Sequence, residues 1–164
     1  MDIKLFGDKI LRKKCVPVTK QELADLRNFI EALVKRTVNN PETAGLAAPQ
    51  LGVAKKIAVI GFKDNLYVLV NPKITKKSRQ QSIREEGCLS FPGLAIEIKR
   101  PNEISVEFLD KDGQSQKLIA KNFLARVMQH EIDHLNGKLI IDYLGWFRRL
   151  KLKNKLLKLY KNRA

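Results

Sequence analysis

Long hydrophobic runs are missing from this chain. No window approaches the roughly 18 apolar residues that a membrane span needs. Met1-Asp2-Ile3-Lys4 leads into mixed sequence, not into the apolar stretch of a secretory signal. A soluble, cytoplasmic protein is expected. Cysteine is scarce: Cys15 and Cys88 are the only two. Two widely spaced cysteines make a poor disulfide framework, so free thiols or a metal ligand are expected instead. Histidine is equally rare, with His130 and His134 alone. Internal repeats, low-complexity tracts and interdomain linkers are absent. At 164 residues, 44% of them hydrophobic, residues 1–164 suffice for one domain with its own core.

Acidic residues are also missing from the end of the chain. Between Trp146 and Ala164 there are eight Lys and Arg and no Asp or Glu, leaving 24 basic against 17 acidic residues elsewhere. More than half of the net charge of +15 therefore sits on the last nineteen residues. That asymmetry points to a polyanionic partner.

Thr19-Lys20-Gln21-Glu22 is a capping box. Leu23, Leu26, Ile30, Leu33 and Val34 then recur at helical spacing, predicting a first helix to about Val38 that ends at Asn39-Asn40-Pro41. Thr43 to Gly52 is small, apolar and unsuited to a long helix. It reads as a connecting or site loop, with Gln50 as its long polar side chain. Lys56–Ile60 and Leu66–Asn71 read as strands joined by a turn at Lys63-Asp64-Asn65. Pro72–Ile83 reads as an extended or edge segment, and Glu85–Gly93 as a shaped loop. Leu94–Lys99 and Glu103–Leu109 are further strands. Asp110-Lys111-Asp112-Gly113 is a turn across which Gln116–Ile119 pairs back. Asn122–Asn136 is a helix stopped by Gly137. A last helix over 143–164 carries Tyr143, Phe147, Leu150, Leu157 and Tyr160 as an apolar stripe. Leu152, Leu156 and Leu159 widen that stripe.

The second of these long helices contains His130-Glu131-Ile132-Asp133-His134, an H-E-x-x-H pattern. Histidines four apart lie one above the other on a helix face, so both imidazoles reach one metal ion. Glu131 between them is placed to move protons to and from water. A catalytic site of this kind usually takes three protein ligands. With no third histidine, the remaining ligand must be Cys, Asp or Glu. Downstream of His134 the sole acid is Asp142 and there is no cysteine. Upstream candidates include Cys88, in a glycine-flanked loop, whose thiolate with two imidazoles makes a soft site for zinc or ferrous iron.

Gly45-Leu46-Ala47-Ala48-Pro49-Gln50, Glu86-Gly87-Cys88-Leu89-Ser90 and Gln129-His130-Glu131-Ile132-Asp133-His134 together resemble the three signature motifs of peptide deformylase, in that family's order and at about its spacing. One departure is visible: Thr43 stands where the family often has a glycine. The resemblance implies an α+β fold. Antiparallel strands would pack around a central metal-binding helix, with an N-terminal helix and a basic C-terminal helix. It implies an enzyme that removes the N-formyl group from the initiator methionine of new proteins. One divalent metal would be held by Cys88, His130 and His134. Ferrous iron is the usual working metal, and zinc, nickel or cobalt can substitute. Glu131 would be the proton carrier, with the Gln50 amide and the Leu89 backbone N–H on the formyl oxygen. Ala44, Gly45, Glu86, Phe123 and Val127 would surround the substrate, and Glu86 would pair with Arg100 to steady the Cys88 loop. By the same resemblance, the basic C-terminal helix would contact rRNA on the ribosome. Two other readings compete on the residues alone. A zinc endopeptidase is weakened by the missing downstream ligand. An RNA-binding module has no use for His130, His134, Cys88 and Gln50 together.

Overall fold

In this protein the strand Ile57–Phe62 and the middle of the strand after it are apolar on both faces, and that decides the architecture. The structure, a computed structural model, describes residues 1–152 and 154–157. Among the described residues are seven strands: β1 (Gly45–Ala47), β2 (Ile57–Phe62), β3 (Asn65–Lys77), β4 (Gln81–Gly87), β5 (Ala95–Pro101), β6 (Glu103–Leu109) and β7 (Ser115–Lys121). Five form an antiparallel sheet in the order β1-β2-β3-β6-β7, and β4 pairs with β5 in a separate antiparallel ribbon. Side chains alternate across a strand. Ile57, Val59, Val68 and Val70 therefore join Phe29, Ile30 and Leu33 of one helix in a core cluster. Ile60 and Leu69 point the other way and join Leu124, Val127, Met128 and Ile132 of another. A sheet covered on both faces needs continuous apolar runs rather than alternation.

The first helical segment starts at its predicted cap. The Thr19 hydroxyl accepts from Glu22 N at 3.2 Å, and Glu22 Oε2 accepts from Thr19 N at 2.9 Å. The segment is two helices rather than one, α1 (Lys20–Asp25) and α2 (Arg27–Val38), jointed at Leu26. α3 (Asn122–Leu135) lies within a residue of its predicted bounds and packs on β1, β2 and β7. A third cluster, with Ile96, Ile98, Phe91, Leu139 and Ile140, fills the space beside the β4–β5 ribbon.

Three expectations need correction. β3 runs on to Lys77, past the predicted end at Asn71. Asn71 itself adopts φ +53°, and its side chain bonds both N and O of Val18 at 2.8 Å. The resulting irregularity in register hides the continuity of the strand from the sequence. Glu85–Gly87 belong to β4, not to a loop, because they pair in register with Ala95–Glu97. The last helix does not start at Tyr143. Ile140–Tyr143 form a 3₁₀ turn, Gly145 intervenes, and α4 spans Trp146–Lys151, with 154–157 helical again. Leu152 and Leu156 dock on the third cluster, whereas Phe147, Leu150 and Leu157 of the predicted stripe are exposed. Leu159, Tyr160 and the rest of 158–164 lie outside the described residues. Among the described residues no helix is long and apolar enough to cross a membrane.

α3 ends against the N-terminal segment. Cys15 N donates to Leu135 O at 2.9 Å, and Gly137 turns the chain at φ +71°. A Cβ on Gly137 would stand 2.6 Å from the backbone oxygen of Arg12, which has no side-chain freedom to give way. Gly137→Ala is therefore expected to lower folding stability by about 2 kcal/mol or more, read as a lower urea midpoint at unchanged slope.

Candidate metal centre

Helical periodicity brings the two histidines together, as their spacing requires. The His130 and His134 rings stand 5.0 Å apart on α3. Cys88 comes from the turn after β4, where Phe91 N donates to Cys88 O at 2.8 Å. Its Sγ lies 3.3 Å from His134 Nε2. The ligand atoms of Cys88, His130 and His134 all fall within 4.8 Å of one another. Asp142, the acid downstream, is instead bonded to Arg12, Arg149 and the Leu139 N–H.

Behind His130 sits a buried ionic network. His130 Nδ1 is 3.0 Å from Glu86 Oε2. Arg100 grips the Glu86 carboxylate with two bonds, Nε at 2.6 Å and Nη2 at 2.9 Å. Arg126 adds a third, Nη1 at 2.7 Å, and also donates to Ile98 O at 2.9 Å and Ser82 O at 2.8 Å. Arg100 Nη1 reaches Asp133 at 2.8 Å and Tyr143 Oη at 2.9 Å, and Tyr143 donates to Asp133 at 2.6 Å. The resemblance implies the pair of Glu86 with Arg100; Arg126, Asp133 and Tyr143 are partners it does not name. One signal was present: Arg126 stands four residues before His130, hence on the same helix face. With Nδ1 held by Glu86, His130 presents Nε2 to the centre.

Ala44, Gly45, Gln50, Glu86, Cys88, Leu89, Phe123, Val127, His130 and Glu131 all line one cleft of about 670 Å³. Arg100 lies outside that lining, behind Glu86. The Glu86 carboxylate is wholly engaged by arginine and histidine, so its reach is toward His130 rather than toward a ligand. Gln50 Oε1 accepts from Ala47 N at 2.9 Å. That orients its Nε2 toward Ser90 Oγ at 3.3 Å and Cys88 Sγ at 3.6 Å. Glu131 is buried, and its Oε2 has no hydrogen-bond partner among the described residues.

The electrostatics separate these groups. Burial alone would raise the Glu86 carboxyl, but hydrogen bonds from His130 and Arg100 and their charges hold it down at about 2. Glu131 is pushed up to about 7, chiefly by burial and then by Glu86, against the pull of His130. His134 is driven well below its usual range by burial and by the positive charge of His130 and Arg100. Burial pulls His130 the same way, yet hydrogen bonds from its ring to Cys88 and Glu86 override it and raise it. A sulfur and two imidazole nitrogens at mutual ligating distance fit a divalent cation.

The polypeptide deformylase family model matches residues 1–149. The chain belongs to the polypeptide deformylase family. It is 39% identical to the peptide deformylase of Thermotoga petrophila over 155 residues, covering 94% of this chain and 93% of that one. It is 43% identical to that of Rickettsia akari over 166 residues, with the same coverage. The Ehrlichia chaffeensis peptide deformylase in complex with actinonin superposes with a TM-score of 0.91 at 33% identity, over 100% of this chain and 98% of that one. The enzyme is a metal-dependent hydrolase that removes the N-formyl group from newly made peptides.

Glu131 owes its place to a residue without a side chain. A Cβ on Gly45 would lie 2.8 Å from Glu131 Oε1, 2.9 Å from its Cγ and 3.0 Å from Val127 Cγ1. Gly45→Ala is expected to displace the carboxylate and reduce kcat by roughly 100-fold, with metal content unchanged by elemental analysis.

Proposed function

We propose that Cys88 Sγ, His130 Nε2 and His134 Nε2 of α3 and the β4 turn hold one divalent ion, ferrous iron in the cell, with zinc, nickel or cobalt able to replace it. The observation that carries the reading is the meeting of these three donors beside a cleft lined by Cys88, His130 and Glu131, where Glu131 Oε2 has no hydrogen-bond partner among the described residues. When bound, the ion supplies Lewis acidity that makes a water at the centre easier to deprotonate.

Glu131 takes a proton from the water that attacks the formyl carbon, then delivers it to the departing amine. The C–N bond breaks, and formate and a free α-amino group result. Charge growing on the formyl oxygen is met by Gln50 Nε2 and the Leu89 backbone N–H. Gln50 is already turned for this task by its bond to Ala47. Ala44, Phe123 and Val127 form the apolar wall for the methionine side chain. A formyl carbon bears only hydrogen, so a tight centre excludes bulkier acyl groups. Gly45 pairs with the peptide backbone, and Glu86 with Arg100 fixes His130. Residues 1–164 act as one catalytic domain in the cytoplasm.

Glu131→Ala is expected to lower kcat on a formyl-Met peptide by at least about 1,000-fold with metal retained, whereas Cys88→Ala should lose the metal itself. A Glu131→Ala enzyme with full turnover would overturn the assigned role.

The basic C-terminal segment is the second part of the proposal, a contact with ribosomal RNA. Arg148 and Lys151 are exposed with no side-chain bond among the described residues, whereas Arg149 is tied to Ile141 O and Asp142 and Lys155 to Gly93 O. Arg148→Glu with Lys151→Glu leaves the docking leucines in place. This double variant should weaken ribosome cosedimentation severalfold at low salt and spare turnover of a short formyl-peptide. Equal cosedimentation of variant and wild type at low and moderate salt would sink the contact.

A further inference from the structure

β1 is the terminal strand of its sheet, and β2 is its strand partner on one side. Ala44 O accepts from Gly61 N at 2.9 Å, so the Ala44 carbonyl faces β2. Alternation along the strand turns the N–H and C=O of Gly45 to the opposite, open edge. Thr43, Ala44 and Gly45 line the cleft there. The two outward groups of Gly45 are both met by one hydroxyl. Thr43 Oγ1 donates to Gly45 O at 2.5 Å and accepts from Gly45 N at 3.3 Å. The next outward N–H, that of Ala47, is taken by Gln50 Oε1. The edge that faces the cleft is thus satisfied from within the chain.

We propose that Thr43 is a built-in competitor of the substrate backbone and sets the affinity of the enzyme for extended peptides. The proposal rests on the reading that substrate pairs with Gly45. A peptide adding to the β1 edge donates an N–H to Gly45 O and accepts from Gly45 N–H. The Thr43 hydroxyl makes the same two bonds, a local alternative of the kind by which threonine competes with sheet ladders. Before the peptide can pair, this hydroxyl must leave Gly45. Removing the hydroxyl removes the competition and leaves the β-branched shape, and so the backbone preference, as it was.

The chemistry at the metal centre does not involve Thr43, so the change falls on KM. Thr43→Val is expected to lower KM for a formyl-Met tripeptide about fivefold, the worth of one net hydrogen bond, with kcat within twofold of wild type. Thr43→Ser keeps the hydroxyl and should keep the wild-type KM. A parallel series of backbone N-methylated tripeptides on the wild-type enzyme tests strand pairing itself. An unchanged or raised KM in Thr43→Val, while wild type rejects an N-methylated peptide, overturns the role of Thr43 and leaves the pairing intact. Indifference to N-methylation at every position overturns the pairing, and the competitor role with it.

Discussion

The buried carboxylate of Glu86 is the constraint on which the centre depends. An ion taken out of water costs several kcal/mol unless it is paired and hydrogen-bonded. Glu86 meets that condition with Arg100 from β5, Arg126 from α3 and the His130 ring. These bonds tie the β4–β5 ribbon to α3, and through Asp133 and Tyr143 they extend to the start of the C-terminal segment. Buried ion pairs seldom add net stability over a well-packed apolar substitute. A network this extensive is explained by placement: it fixes which nitrogen of His130 is presented and at what angle. The ribbon that carries Glu86 also ends at Gly87, directly before Cys88. The strand that orients one proposed ligand therefore delivers another.

On the opposite wall, the determinant is the absence of side chains. Gly45 and Ala47 let α3 approach β1 until Glu131 and Val127 fill the space a Cβ on Gly45 would need. A larger residue in that run would move the carboxylate before it affected the sheet. The same smallness keeps the outer edge of β1 within reach of the cleft, where the Thr43 hydroxyl occupies it. Close helix–strand approach and an accessible strand edge are thus two consequences of one composition.

How much of this was readable beforehand follows the range of the forces involved. The capping box at Thr19, the α3 bounds and the meeting of His130 and His134 on one helix face are local, and their spacing displayed them. With two histidines in the chain, a third donor had to come from elsewhere, and Cys88 is the residue brought beside them. The Arg126–Glu86 bond joins residues 40 positions apart, and the sequence offered only a basic residue in phase with His130. Periodicity says which residues share a face, not what lies opposite that face. The same limit misread the C-terminal stripe. Leu152 and Leu156 find the third core cluster, while Phe147 and Leu150, which look no different in the sequence, do not. β3 was cut short for another reason: Asn71 with φ +53° is a bulge-like interruption anchored by Val18, a contact 53 residues away.

The two glutamates of the centre show how environment assigns role to identical chemistry. Glu86 has a cation or a ring nitrogen on each oxygen, and a proton added there would have to displace one of them. Glu131 is as deeply buried, yet its Oε2 has no partner among the described residues and its other oxygen lies against a glycine. Burial without compensation favours the protonated form, and burial with compensation favours the charged one. In the proposed reaction, the carboxylate held as an anion therefore serves geometry, and the other accepts and returns a proton. Two acids in one site pushed apart in this way mark a division between holding and proton transfer. Exchanging their surroundings would exchange their functions without changing either residue.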